Sequence, residues 1–136
     1  MAFVDAQANA IIKKGISPAI IKLAGTVTKG DAVGYSSGWK RALATAGSVV
    51  QMRCVAGEDG VTGQEITAYF GNVIFTGSRF SGATVGGALY VAEGSDNGKY
   101  TQTAPTTATD SNKVVGYATS ATEAVLTPQA NVDSVA

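Results

Sequence analysis

Glu65-Ile-Thr-Ala-Tyr-Phe-Gly-Asn-Val-Ile-Phe-Thr76 holds two short runs of β-branched and aromatic residues, broken by Gly71-Asn72. In the first run Ile66, Ala68 and Phe70 alternate with Glu65, Thr67 and Tyr69, the period-two pattern of a strand with one buried face. Upstream, Val50, Met52, Cys54 and Ala56 alternate in the same way. Working outward, strands are expected at residues 26–28, 32–35, 49–56, 65–70, 72–76, 88–92, 99–103, 114–118 and 124–127. Lys29-Gly-Asp31, Ser37-Gly38, Glu58-Asp-Gly60 and Asp96-Asn-Gly98 supply the positive-φ positions that tight hairpins need. Short strands at this spacing predict an all-β fold, a small sandwich or barrel.

The first 24 residues read differently. Val4, Ala8, Ile11 and Ile12 have helical spacing, with Lys13 and Lys14 in a last turn and Gly15 as a stop, so the segment is expected to be an extended or short-helical arm. So short a helix is marginal alone and needs a surface to lie on. The organisation expected is an arm at 1–24, a β domain at 25–128 and a polar tail at 129–136. Within the β domain a weak repeat lays residues 28–35 on 84–91, Gly38-Trp-Lys on Gly98-Lys-Tyr, and 52–56 on 114–118.

Composition narrows the function. The chain has 136 residues, one domain's worth. Ten Lys and Arg balance ten Asp and Glu, so no basic field exists to hold nucleic acid or anionic lipid. Neither a signal peptide nor a membrane span is expected, since Lys22 interrupts the Ile-rich stretch. Histidine is absent, which removes the Ser-His, Cys-His and His-metal constellations, and Cys54 is the sole cysteine. Glu58-Asp59 and Glu93 with Asp96 lie in Gly-flanked turns and lack the ligand order of a calcium loop. No enzyme, metal or cofactor is expected. Cys54 reads as a small buried hydrophobe. Arg41, Arg53 and Arg79 are candidate anchors of a protein interface, where arginine is enriched.

The ordered string Gly25-Thr-Val-Thr-Lys-Gly-Asp-Ala-Val-Gly34, Gly38-Trp-Lys-Arg-Ala42, Val55-Ala-Gly57, Gly71-Asn-Val73, Thr84-Val-Gly-Gly-Ala-Leu-Tyr-Val91 and Val114-Val-Gly-Tyr-Ala-Thr119 resembles the capsid cement, or head decoration, proteins of tailed double-stranded-DNA bacteriophages. The likeness covers roughly residues 24–128 and consists of turn and strand grammar. It implies a compact β domain that forms a homotrimer on the outer surface of the head, is assembled in the host cytoplasm, and reaches onto the major capsid protein with an N-terminal arm. Charge agrees in class: 15% charged residues against about 25% on average suits packing among copies. Phe3, Val4, Ile11, Ile12, Ile16, Ile20, Ile21 and Leu23 are more large apolar groups than a free arm can expose, so they dock on the capsid or a neighbouring trimer, or else on the chain's own β domain. Two other readings stay open: a β module of a phage tail, fibre or baseplate, and a small carbohydrate- or peptide-binding domain that uses its aromatic residues.

Overall fold

The structure is a computed structural model that describes residues 3–8, 11–128 and 133–136. Among them eleven strands form: β1 (Ile11–Gly15), β2 (Pro18–Lys22), β3 (Ala32–Tyr35), β4 (Trp39–Arg41), β5 (Cys54–Ala56), β6 (Glu65–Tyr69), β7 (Val73–Thr76), β8 (Ala88–Val91), β9 (Tyr100–Thr101), β10 (Val114–Ala118) and β11 (Glu123–Leu126). A single 3-10 turn, Ser78–Phe80, follows β7. The strands make two antiparallel sheets in the orders β1-β7-β11-β10-β8-β9 and β2-β6-β5-β3-β4, an all-β sandwich as expected from the alternation.

The two sheets share one plan. Read from β2, the five-stranded sheet runs first, fifth, fourth, second, third strand; read from β7, so does the six-stranded sheet. The segments aligned in the sequence occupy matching places, β3 with β8, β4 with β9 and β5 with β10. One difference breaks the match: β1 lies on the outer side of β7, and β2 has no such neighbour.

Residues 65–76 explain how the sheets join. β2 pairs β6 from Pro18↔Tyr69 to Lys22↔Glu65, and β1 pairs β7 from Ile11↔Thr76 to Gly15↔Val73, with a bulge between Ile12 and Lys14. Across the gap Ile16 N–H donates to Asn72 C=O at 3.1 Å, Gly71 N–H to Ile16 C=O at 2.9 Å and Phe70 N–H to Ser17 C=O at 3.1 Å. A single ladder therefore crosses from one sheet to the other and bends at the corner. Ser17 takes φ 58° there, and a Cβ on Gly15 would meet the Tyr69 ring at 2.5 Å, so the bend needs a bare backbone at Gly15.

Two cores result. Between the sheets lie Met52, Val55, Phe75, Phe80, Leu89, Val91, Tyr100, Val115 and Leu126. On the far face of the five-stranded sheet Ile21, Leu23, Val27, Val33, Cys54, Ala56, Ile66 and Ala68 pack beneath Trp39 and Phe70. Sandwiched between both, Cys54, Val55 and Ala56 are all buried, although alternation predicts one exposed residue among them.

The N-terminal segment departs from the helical reading. Residues 11–15 and 18–22 are strands, because their β-branched side chains suit a pleated ladder and β6 and β7 offer one. Ile21 and Leu23 belong to a core of the β domain, and Phe3 and Ile12 pack against the other. The expected boundary at residue 24 thus falls within the sandwich. Of the expected tail at 129–136, residues 129–132 lie outside the described residues, while Ser134 bridges Ser111 and Val135 N–H donates to Asp110 C=O at 2.9 Å. A chain lacking residues 1–23 forfeits Ile21 and Leu23, each contributing about 1.5–3 kcal/mol by burial, against a typical net stability of about 5–15 kcal/mol. It is expected to show no cooperative thermal transition by circular dichroism, where the full chain shows one.

Candidate functional site

Among the described residues buried charge gathers chiefly around one arginine. Arg79, in the turn after β7, is fully buried, and its guanidinium is met on every side. Nε donates to Asp5 Oδ2 at 3.1 Å, Nη1 to Lys29 C=O at 3.2 Å, and Nη2 to Asp31 Oδ1 at 2.7 Å and Gly98 C=O at 2.9 Å. The Tyr100 ring stacks 5.3 Å from its central carbon. Asp31 also accepts Arg41 Nε at 2.7 Å and Thr28 N–H at 2.8 Å; Asp5 accepts the N–H groups of Tyr100 at 2.9 Å and Gln7 at 2.7 Å. Gly30, at φ 97°, must lack a side chain, since a Cβ would stand 3.0 Å from Arg79 Nη1. Burial raises the Asp5 carboxyl above its ordinary range, opposed by the Arg79 charge and those N–H donors.

This arrangement is a clamp. It ties residues 5–7, the β2–β3 connection, the 3-10 turn and the β8–β9 turn around one cation, and the guanidinium has no free face to offer a substrate. Arg79, expected at an interface, is therefore corrected to an internal anchor. Arg41 is half-buried and committed to Asp31, and Arg53, also half-buried, donates its backbone N–H to Val33 C=O at 2.8 Å.

Beside the clamp lies a groove of about 280 Å³ whose walls include Phe3, Val4, Glu93, Asp96, Lys99 and Thr103. Its charges are satisfied locally. Lys99 Nζ sits 3.0 Å from Asp96 Oδ1. Glu93 is raised chiefly by a hydrogen bond shared with the Asp110 carboxyl, while Asp110, which burial pushes upward, is held low by that bond and by the N–H groups of Ala46 and Thr107. Among the described residues no three His, Cys, Asp or Glu side chains converge as metal ligands. A second buried cation, Lys113, donates to Met52 C=O at 3.0 Å, and burial, reinforced by the Arg53 charge, pulls it down to about 8. Nothing in the local sequence marks Asp5, Asp31, Tyr100 or Lys113 as buried polar groups, because the partners that bury them lie tens of residues away.

The eight apolar residues of the N-terminal segment divide by pleat. Phe3, Ile12, Ile21 and Leu23 turn inward, whereas Val4 (73% exposed), Ile11 (66%), Ile16 (43%) and Ile20 (63%) face out. Ile11, Ile16 and Ile20 follow the bent outer edge of both sheets, with Lys13 and Lys14 between the first two and Lys22 beyond the last. A further apolar row, Ile74, Val125 and Tyr117, crosses the outer face of the six-stranded sheet through the pairings Val125↔Ile74 and Tyr117↔Val125. Solvated sheet faces are normally polar, so the edge and this face are the candidate contact surfaces. Of the aromatic residues weighed for a sugar platform, Phe75, Phe80 and Tyr100 are in the core, and Trp39 meets Phe70 and Tyr35 edge-on.

Comparison with protein families, with curated proteins and with solved structures gave no match.

Two measurements probe the buried charges. Asp31→Ala strips the closest carboxylate from Arg79 and is expected to cost about 3–5 kcal/mol in urea unfolding, as removing one partner of a buried pair does. For Lys113, the folded protein releases its proton more readily than the unfolded chain, where a lysine ordinarily titrates near 10.5. Unfolding free energy should therefore rise as pH climbs from about 8 toward 10.5, and Lys113→Met should lack that component.

Proposed function

We propose that this chain is a structural virion protein that binds the outer surface of a phage head as a trimer, contacts the major capsid protein and stabilises the capsid. The observation that carries this reading is the row of large apolar side chains left in solvent along the N-terminal edge, Val4, Ile11, Ile16 and Ile20, on a protein with few charges. A surface of this kind serves a protein that works among many copies. The resemblance of residues 24–128 to head decoration proteins gives the partner. Cementing then follows from linkage: a ligand that binds only the assembled shell stabilises it, and a trimer that touches several subunits multiplies modest contacts.

The N-terminal strands belong to the sandwich, so the capsid contact in this reading is Val4 in the segment before them and Ile16 at the bend between them. Burying each of these side chains contributes about 1.5–3 kcal/mol before ordering costs. Purified protein added to undecorated heads is expected to appear at three-fold positions by electron cryo-microscopy and to raise the temperature at which the heads rupture. Val4→Asp and Ile16→Asp are expected to weaken head binding at least tenfold with the melting temperature of the free protein unchanged. Binding to tails or baseplates with none to heads would move the chain to the tail-module reading.

A further inference from the structure

The two halves of the sandwich differ in what covers their first strand. In the six-stranded sheet the outer side of β7 carries β1; in the five-stranded sheet no strand among the described residues covers the matching side of β2 from Pro18 to Lys22, until β4 arrives at the Leu23↔Trp39 bridge. Ladder geometry shows which groups are bare. Phe70 N–H donates to Ser17 C=O, and Leu23 N–H donates to Gln64 C=O at 2.8 Å. An antiparallel ladder bonds alternate residues, so Ala19 and Ile21 face β6 while Ile20, through both N–H and C=O, and Lys22, through N–H, point to the free side. Ile20 stands 63% exposed at the centre of this edge. Pro18 and Lys22 blunt the two ends of this five-residue edge, and between them Ile20 leaves unmet backbone groups on which another strand can build.

We propose that β2 accepts the outer edge of β1 from a second copy of this chain, which joins the five-stranded sheet of one copy to the six-stranded sheet of the next. The proposal rests on the trimeric reading and supplies its contact. The occupant follows from the repeat: β1 is the strand that the equivalent edge of β7 already takes, and among the described residues no strand pairs with its own outer side. Antiparallel pairing sets Lys22 beside the isoleucine end of β1, away from Lys13 and Lys14, and Lys13 is already neutralised by Glu123 at 2.9 Å. The contact proposed is made once between two copies, head-to-tail, and the trimeric reading requires its rotation to close at three; the same strands paired reciprocally, or β2 against β2, would give a two-fold dimer instead.

Ile20→Pro tests this without touching the β2–β6 ladder, since proline removes only the outward N–H and is tolerated on such an edge. By light scattering after size exclusion, the full chain is expected at three times its 13.7 kDa and Ile20→Pro at one, with the same melting temperature. In the assembled wild type the Ile20 and Lys22 amides should exchange with solvent at least a hundredfold more slowly than in the dissociated chain, a readout that stands even if the variant misfolds. A trimer that survives in folded Ile20→Pro, a two-copy particle, a wild type of single-chain mass at every concentration, or fast exchange at both amides would overturn the pairing. Head binding is scored separately: a trimer that keeps Ile20→Pro and still decorates heads overturns the strand contact and leaves the decoration reading in place.

Discussion

The guanidinium of Arg79 is the point on which the sandwich closes. A cation this deep is tolerable only when it is well hydrogen-bonded and its charge balanced; here Asp5 and Asp31 balance the charge and, with two backbone carbonyls, accept four hydrogen bonds. Those partners come from three places in the chain, so the demand for pairing fixes the N-terminal segment and two connections around the 3-10 turn that carries Arg79. Apolar packing alone would leave such loops free to slide; a buried ion with directional bonds does not.

The bent ladder carries the same logic into the backbone. One strand pair serves both sheets, so their relative placement is set by hydrogen bonds as well as by side-chain packing. The matching strand order on either side of the bend means that one solution to burying a five-stranded antiparallel unit is used twice. β1 is the addition that makes the halves unequal, and the inequality leaves one half with an open edge.

Much of this was legible in the residues. The alternation at Ile66, Ala68 and Phe70, and the glycine turns around it, placed most strands within a residue or two, because period-two burial is a local signal. Ile11 and Ile12 misled, since a four-residue apolar spacing over so short a stretch fits helix and strand alike, and the choice falls to partners more than forty residues away. The second core was hidden for a similar reason: Cys54-Val55-Ala56 shows continuous burial only once the sheet curls beneath Trp39 and Phe70. Arg79 looked like surface because glycines flank it, and the aspartates that bury it are remote. The edge isoleucines were singled out, but the sequence could not divide those that turn inward from those that face solvent.

The pairing of residues 11–22 with 65–76 also governs how the molecule comes into being. Partners along that ladder are separated by 43 residues at Lys22 and Glu65 and by 65 at Ile11 and Thr76. During synthesis the isoleucine-rich first strands leave the ribosome long before anything exists for them to pair with, and closing so distant a loop is slow. The nascent chain therefore carries this apolar segment uncovered until residues 65–76 have emerged, the stage at which non-native association competes with folding.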